Sequence, residues 1–224
     1  MKNLSFVQTA DGSKTIFNAE VGEHYHSKHG ALQESNHVFL HSGLRYFLEM
    51  NDTKSANILE VGFGTGLNFL LSADYSSENN ISINYTGIEA HPLPLEMISN
   101  TEYDQFLSEK IWMSFLENYP ASFNKKVNLN AGCTFQIAEK KLMDFTTDAR
   151  FNVIYFDAFA AIHQPEMWTN EALTHVCSFL KPGGVFVTYA ITGNLKRSMR
   201  SLGFSIEKAP GAPGKREMLR AVKF

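Results

Sequence analysis

The sequence predicts an α/β fold in which helices cover both faces of a seven-stranded, mostly parallel β-sheet. Seven short runs rich in β-branched and aromatic residues alternate with helix-forming stretches, which is the pattern of a doubly wound sheet. The first run leads directly into a loop with three glycines and then into a helix-forming stretch. The connector between the last two runs, residues 209–214, is too short for a crossover helix, so we expect these strands to pair antiparallel.

The strands and helices follow one another in a regular order. Six strands are expected to be parallel, with one antiparallel hairpin strand near the C-terminus. The predicted strands are residues 57–61, 85–89, 133–138, 152–157, 185–189, 204–208 and 218–223. The predicted helices are residues 66–74, 94–97, 166–180 and 195–202.

Two regions lie outside this alternating pattern. The first forty residues are loop-like, with turn signals at Asp11-Gly12 and Gly22, and an amphipathic stretch extends from residue 31 to 50. We expect residues 1–50 to form an extension and a helix packed on the core, and residues 51–224 to form the main domain. Residues around 91–130 exceed the length of a simple crossover and are predicted to be a helical insertion.

The glycine loop after the first strand indicates a cofactor site. Glu60 precedes Gly62, Gly64 and Gly66, and glycines allow a backbone to turn sharply and to approach a ligand closely. A carboxylate beside the loop would repel a pyrophosphate but suits a cationic ligand. S-adenosylmethionine carries such a cation in its amino-acid ammonium, which we expect Glu60 to meet through a water or a backbone contact.

Two further acids lie at the ends of the next two strands. The carboxylate of Glu89 can accept hydrogen bonds from both hydroxyls of a ribose, and a nicotinamide dinucleotide would use it equally well. Glu139 is predicted to bind the adenine amino group, or else to be an exposed carboxylate at a helix start.

Asp157 is the candidate catalytic residue. It follows the most apolar predicted strand and therefore lies at the carboxyl edge, where open parallel sheets bind ligands. The apolar loop 158–168 comes next and can wall a substrate pocket. The alternative is that Asp157 only caps this loop.

Several segments together carry a family resemblance: residues 60–68, Glu89 with 91–93, 157–160, 165–168, Thr188-Tyr189 with Gly193 and 196–197, 214–218, and the opening motif with Tyr25, Gly30, Glu34 and Val38-Phe39. They resemble the methyltransferase domain of the bifunctional tRNA 5-methylaminomethyl-2-thiouridine biosynthesis (MnmC) family and its single-domain relatives. The resemblance implies the class I S-adenosylmethionine-dependent methyltransferase fold, which is Rossmann-like. Ala161 and His163 depart from the family's usual Pro and Lys, and Ala138-Glu139 from its Gly-Asp.

The resemblance also implies a reaction. A methyl group passes from S-adenosylmethionine to the amine of 5-aminomethyl-(2-thio)uridine at the tRNA wobble position, which gives 5-methylaminomethyl-(2-thio)uridine. An alkylammonium has a pKa of about 10 and must lose a proton before it attacks. We expect Asp157 to orient the amine, and its acceptance of the proton stays open.

The implied site residues fall into two sets. Those implied to bind the cofactor are Glu60, Gly62, Phe63, Gly64, Gly66, Asn68, Glu89, Glu139 and Asp157. Phe159 and Tyr189 are implied to bind the substrate by stacking on the flipped-out uridine, or else they belong to the core. The basic residues implied to bind phosphates of the anticodon stem-loop, or else to form a solvated surface, are Lys196, Arg197, Lys215 and Arg216.

Composition limits the alternatives. The formal net charge of -3 gives no global attraction to nucleic acid, so tRNA would have to bind a local basic patch. Two widely spaced cysteines indicate a reducing compartment, and the absence of a signal pattern or a long apolar run predicts a cytoplasmic protein without membrane contact. The cluster of His24, His26 and His29 lacks a completing ligand, so no metal is expected.

Two rival functions remain open from the sequence. One is a methyltransferase or aminopropyltransferase acting on a small amine, for which further acids in the pocket would be the discriminating feature. The other is a nucleotide-binding protein without catalysis. Because the given sequence ends at Phe224 without an oxidase half, we also expect a separate enzyme to supply the aminomethyl-uridine precursor.

Overall fold

The computed structural model describes residues 3–224, in which eleven strands form two sheets. Three strands form a small antiparallel sheet near the N-terminus, and the other eight form the central sheet. The strands are β1 (Leu4–Gln8), β2 (Lys14–Asn18), β3 (Glu23–His24), β4 (Ser55–Val61), β5 (Ser82–Glu89), β6 (Val127–Asn130), β7 (Cys133–Glu139), β8 (Phe151–Phe156), β9 (Leu180–Thr188), β10 (Phe204–Pro210) and β11 (Glu217–Lys223).

Seven α-helices connect or flank these strands within the described residues. They are α1 (Ala31–Glu34), α2 (Tyr46–Met50), α3 (Leu67–Glu78), α4 (Leu95–Ser99), α5 (Glu109–Asn118), α6 (Asn170–Ser178) and α7 (Gly193–Ser201). A π-helix, Ser35–Arg45, joins α1 to α2, and short 3-10 helices cover Tyr103–Gln105, Tyr119–Ala121, Leu142–Asp144 and Pro165–Trp168. None of the helices within residues 3–224 combines the length and the apolar character needed to cross a membrane.

The central sheet confirms the predicted α/β fold. Its order is β10-β11-β9-β8-β4-β5-β7-β6, and β4, β5, β7, β8 and β9 pair in parallel. β11 is antiparallel to both β9 and β10, so the predicted hairpin is present and its antiparallel strand lies between these two. The sequence does not predict the eighth strand, β6, because it has only four residues and two of them are asparagines, which are uncommon in strands.

Alternating side chains of the central strands explain why helices cover both faces of the sheet. On β8, Val153 and Tyr155 belong to the core on one face, while Ile154 and Phe156 belong to the core on the other. All four are fully buried, as expected for a strand in the middle of a parallel sheet. α3 and α5 contribute to the first core, and α6 and α7 contribute to the second.

The helix predicted over residues 166–180 is shorter in the structure. Thr169 caps α6 by accepting a hydrogen bond from the backbone N–H of Ala172, at 3.1 Å, so that helix begins at Asn170. The strand that follows already begins at Leu180.

The expectation of a loop-like N-terminal region is wrong. β1 and β2 form a hairpin whose turn contains Gly12, and Gly22 lies in the turn between β2 and β3, with φ of +86° and +80°. The turn signals are therefore correct, but the two five-residue strands on either side of the first turn are missed. The division of the chain at residue 50 stays a prediction.

The helical segment from α1 to α2 packs closely on the central sheet. Gly43, in the π-helix, lies so near β8 and β9 that an added Cβ would be 2.7 Å from the Tyr155 ring and 3.0 Å from Val187. This contact fixes the start of the segment, including Glu34, near the carboxyl ends of the parallel strands.

Candidate active site

Three glycines shape the loop between β4 and α3. Gly62, Gly64 and Gly66 have φ of +85°, +51° and +79°, a region that other residues rarely adopt. The backbone N–H of Gly62 donates to the carbonyl of Ile88 at 3.0 Å, which holds the loop against the end of β5. A Cβ on Gly62 would overlap the carbonyl oxygen of Asp157, so the loop also lies directly against the end of β8.

Gly62→Ala is therefore expected to damage the loop by two routes. The new Cβ would overlap a backbone oxygen, and the positive φ would add strain. We expect a stability loss of about 3 kcal/mol or more, with roughly tenfold weaker binding of S-adenosylmethionine, the ligand that the sequence predicts. Thermal unfolding and calorimetric titration measure these two effects.

Gly203→Ala is the matched control for this prediction. Gly203 has a similar φ of +82°, but nothing lies within 4 Å of an added Cβ. It should cost about 1–2 kcal/mol through strain alone and leave ligand binding unchanged. Equal effects of the two substitutions would contradict the packing role of Gly62.

Glu89 lies at the end of β5 with both carboxylate oxygens anchored. One oxygen accepts a hydrogen bond from the backbone N–H of Gly64 and the other from that of His91, each at 2.9 Å. Each oxygen keeps a lone pair for a further donor. The side chain is half-buried, and it is held in a fixed position beside the glycine loop.

A cavity of about 540 Å³ opens at the carboxyl ends of β4, β5 and β8; we call it the large cavity. Its volume suits a small-molecule or cofactor ligand. Five of the residues predicted to bind the cofactor line it: Gly62, Phe63, Gly64, Glu89 and Asp157. Four do not line it: Glu60, Gly66, Asn68 and Glu139.

Glu139 is separated from the other predicted cofactor residues. It pairs in register with Glu89 on the neighbouring strand, but its side chain is exposed, and the large cavity is lined instead by residues 140–144. Ala138, the residue before it, is buried, whereas Glu139 is the last residue of β7 and is exposed to solvent. The structure does not bring Glu139 to the cavity, so its contact with adenine stays a prediction without geometric support.

Glu60, Asn68 and Asp157 form a hydrogen-bonded cluster beside the loop. The side-chain amide of Asn68 donates to Glu60 Oε1 and to Asp157 Oδ2, at 2.8 Å each, and Tyr85 donates to Glu60 Oε2 at 2.8 Å. Glu60 is fully buried, so it faces protein groups rather than the cavity. The Oδ1 atom of Asn68 is buried and has no hydrogen-bond partner among the described residues.

Burial strongly perturbs the two carboxylates of this cluster. It raises the pKa of Glu60 well above its usual range. It raises the pKa of Asp157 to about 8; the charge of Glu34 acts in the same direction, while the Asn68 hydrogen bond and Lys215 oppose the shift. A cation bound next to these groups would favour their ionised forms.

A second cavity of about 290 Å³, the small cavity, shares a wall with the first. Tyr25, His26, Asp157, Ala158 and Phe159 line both cavities. The small cavity is also lined by Glu23, His24, Ser27, Lys28, Glu34, Tyr189 and Lys215. Three acids and two lysines therefore surround a space that meets the large cavity at Asp157.

The predicted substrate residues separate into two groups. Phe159, Tyr189 and Lys215 are brought together at the small cavity, where the Tyr189 hydroxyl donates to the Ala158 carbonyl at 2.9 Å. Lys196, Arg197 and Arg216 do not line either cavity. Arg197 and Arg216 are exposed and Lys196 is half-buried, on α7 and on the connector between β10 and β11.

Two buried residues of the small cavity are not predicted to act there by residue pattern. The Nε2 atom of His26 lies 3.0 Å from Thr65 Oγ1, and its Nδ1 atom lies 4.0 Å from Asp157 Oδ2. Burial lowers the pKa of His26 to about 4. Glu34 belongs to the opening motif of the resemblance, which was the only sequence signal for it, and it is 5% exposed.

Comparison with known proteins identifies the family of this chain. The model of a family described as S-adenosyl-L-methionine-dependent methyltransferase matches residues 101–224, which include Asp157. The chain is 29% identical over 233 residues to the tRNA 5-methylaminomethyl-2-thiouridine biosynthesis bifunctional protein MnmC of Azoarcus sp. (strain BH72), covering 97% of this chain and 35% of that protein. The protein of the same name from Leptospira borgpetersenii is 30% identical over 87% of this chain and 31% of its own length.

The chain thus spans about a third of the length of these curated relatives. Among solved structures, MNMC2 from Aquifex aeolicus superimposes with a TM-score of 0.78 at 24% identity, over 98% of this chain and 70% of that one. At this level of identity the superposition supports the fold.

Proposed function

Because the chain belongs to the family of S-adenosyl-L-methionine-dependent methyltransferases, we propose that it methylates the amine of 5-aminomethyl-(2-thio)uridine at the tRNA wobble position. The product is 5-methylaminomethyl-(2-thio)uridine. The observation that carries this proposal is the junction of the two cavities, where the Asp157 carboxylate lies together with the Phe159 ring. The names of the relatives, which include methylaminomethyl-thiouridine biosynthesis, favour the same substrate.

The residues of the large cavity suit S-adenosylmethionine. Glu89 would accept hydrogen bonds from the ribose hydroxyls, and the glycine loop allows close backbone approach. Asp157 lines this cavity, and the amino-acid ammonium bound beside its carboxylate would favour the ionised form and so oppose the rise of its pKa that burial causes. When bound, the cofactor supplies an electrophilic methyl group on a sulfonium.

Asp157 lies where it can act on an amine in the small cavity. Its carboxylate would attract the incoming ammonium and fix its orientation after a proton has been lost. Its side chain is only 7% exposed and is held by Asn68, so its position is well defined. Orientation is therefore the role we assign to Asp157, with release of the proton to water.

Two aromatic rings suit the uridine base. Phe159 lies at the junction of the two cavities and contacts Tyr25 edge-on, with a centroid distance of 5.3 Å. Tyr189 has the Lys215 ammonium 3.8 Å from its ring centroid, so one of its faces is covered. We therefore propose Phe159 as the main stacking partner of the flipped-out base.

The tRNA would bind through basic side chains beyond the cavities. Replacing Lys196 and Arg197 together by alanine should raise the KM for tRNA about tenfold near 0.15 M salt, and should make binding less salt-dependent, because two phosphate contacts are lost. Binding of S-adenosylmethionine should not change. Steady-state kinetics at several salt concentrations measures both effects.

The control pair is Lys125→Ala with Lys126→Ala. Both residues are exposed and lie just before β6, at the opposite edge of the central sheet. This pair should leave the KM for tRNA within about twofold of the wild-type value, as is usual for distant surface charges. An equal increase in both double variants would mean that charge acts globally rather than through a docking surface.

The direct test of the function is a methyl-transfer assay. Labelled S-adenosylmethionine is offered with aminomethyl-uridine tRNA, unmodified tRNA or spermidine, and nucleosides are identified by mass spectrometry. We expect label only in the aminomethyl tRNA, as methylaminomethyl-uridine. Label in spermidine alone, or in no acceptor, would refute the tRNA assignment.

One observation favours a second candidate function. Glu23 and Glu34 are further acids in the small cavity, and such acids would also suit a small polyamine. A methyltransferase or aminopropyltransferase for small amines is therefore the alternative. The spermidine arm of the assay separates the two functions.

A further inference from the structure

Lys215 is turned inward, although the sequence predicts that it binds phosphate. Its Nζ atom lies 2.6 Å from Glu34 Oε2 and 3.8 Å from the centroid of the Tyr189 ring. Both partners line the small cavity. The chain thus places one of its own primary alkylammonium groups in the cavity that we propose for an amine acceptor.

Glu34 is the fixed part of this arrangement. Its side chain is 7% exposed, and Oε1 accepts a hydrogen bond from the backbone N–H of Ser27 at 3.1 Å. A carboxylate combined with an aromatic face is a common way to recognise an ammonium, because one supplies charge and hydrogen bonds and the other a negative ring face. Glu34 and Tyr189 therefore have the arrangement of a preorganised ammonium site.

Lys215 is the part of this arrangement that can be displaced. Its side chain is 35% exposed, and it belongs to the turn-rich connector between β10 and β11, beside the exposed Arg216. Rotation of a long, flexible side chain is enough to move its ammonium from the cavity to solvent. Glu34 cannot follow it, because its backbone lies in the helical segment packed on the sheet.

We propose that Glu34 and Tyr189 first bind the acceptor's primary ammonium, before the amine loses a proton and is oriented by Asp157, and that the Lys215 ammonium occupies this site until the acceptor replaces it. The inference rests on the proposed function in so far as the acceptor is an amine. The exchange replaces one cation by another, so the buried carboxylate never lacks a partner. The displaced Lys215 becomes free to pair with an anion outside the cavity, which an RNA phosphate supplies and a small polyamine does not.

This exchange makes Lys215 a specificity-determining residue. An acceptor with phosphates near the connector offers the displaced lysine a new partner, whereas an acceptor without them leaves it in water. The subsite should therefore open more readily for tRNA than for a free nucleoside or a polyamine.

Chemical rescue tests the subsite without reference to tRNA. Lys215→Met keeps an apolar stem of similar length but leaves Glu34 without its cation. Methylammonium chloride should raise the Tm of this variant by about 3–6 °C at a concentration near ten times its Kd, relative to sodium chloride of equal concentration. The wild-type protein should not respond, because its own lysine fills the site.

Two controls show whether rescue depends on a hydrogen bond to the Glu34 carboxylate. Tetramethylammonium cannot donate a hydrogen bond to Glu34 and should rescue less than methylammonium. Lys215→Met combined with Glu34→Gln removes the buried charge and should abolish the response. Rescue that is equal in the wild type, or that persists without the Glu34 carboxylate, would overturn the proposal.

A rate comparison tests the specificity and separates it from the proposed function. Lys215→Met should raise the ratio of methyl transfer to free 5-aminomethyluridine over transfer to aminomethyl tRNA by about tenfold, because both acceptors then bind without displacing a cation, while the tRNA also loses its phosphate contact with Lys215. An unchanged ratio would overturn the role of Lys215 in specificity. If the wild type modifies no amine in tRNA, the proposed function fails, and the rescue experiment alone decides whether the ammonium subsite exists.

Discussion

Asp157→Asn is expected to lower the rate of methyl transfer about 10²- to 10⁴-fold while S-adenosylmethionine still binds. Asparagine has nearly the same shape and can still accept a hydrogen bond from Asn68, so the wall between the two cavities should remain. What is lost is the negative charge that attracts and orients the amine. Single-turnover kinetics measures the first effect, and calorimetric titration of the cofactor measures the second.

The stability of the same variant shows whether its loss of activity reflects misfolding. The pKa of Asp157 rises from 3.8 to about 8 in the folded protein, so ionisation of this group opposes folding. The penalty is absent below about pH 4, grows as the pH rises and is complete above about pH 8. Asp157→Asn removes it and should stabilise the protein by up to a few kcal/mol at pH 8.5 but little at pH 4.

An exposed carboxylate provides the control for this pH dependence. Asp148→Asn, in the loop before β8, should leave Tm and activity unchanged at both pH values. If Asp157→Asn were less stable than the wild type at pH 8.5, the burial of an unfavourable charge would be refuted. If it kept wild-type turnover, Asp157 would only cap its loop, as the alternative holds.

The sequence predicts those parts of the site that depend on backbone position. Gly62, Gly64 and Gly66 can be recognised because their positive φ values exclude most other residues. Glu89 and Asp157 can be placed because they lie at the carboxyl ends of strands, and parallel strands bring these ends to one edge of the sheet. The local pattern and the strand order are therefore enough to predict the positions of these residues.

Side-chain direction is what the sequence leaves undetermined. Glu60 lies next to the loop in sequence, but its carboxylate is fully buried against Asn68 and Tyr85 instead of facing the cavity. Glu139 is adjacent to Glu89 in the sheet, yet it is exposed. A period-two pattern gives the face of a strand residue, but it does not show how a side chain turns where the strand ends.

The small cavity is not predictable from local sequence patterns, because its walls come from segments that are far apart in the sequence. Glu34 and Lys215 are 181 residues apart, and no local pattern could reveal that one neutralises the other. The β1–β3 sheet that leads to Tyr25 and His26 has strands of two to five residues, which carry little periodic signal. A basic run near the C-terminus indicates phosphate binding, whereas tertiary contacts direct one of its lysines into an acidic pocket.

Glu89→Ala is expected to weaken binding of S-adenosylmethionine roughly 100-fold or more, because two hydrogen bonds to a charged group are lost together. The backbone N–H groups of Gly64 and His91 would also lose their acceptor, which loosens the loop at the cavity. Glu89→Gln keeps one acceptor oxygen and should give an intermediate affinity. Calorimetric titration of the cofactor measures all three proteins.

Glu139→Ala is the matched control, because the two glutamates pair in register on neighbouring strands and differ in whether they reach the cavity. The geometry predicts that its affinity for the cofactor stays within about twofold of the wild-type value, since an exposed carboxylate outside the cavity contributes little. A tenfold loss in this variant would instead support the contact with adenine that the sequence predicts. Equal and small effects of both substitutions would mean that the ribose is bound by residues other than Glu89.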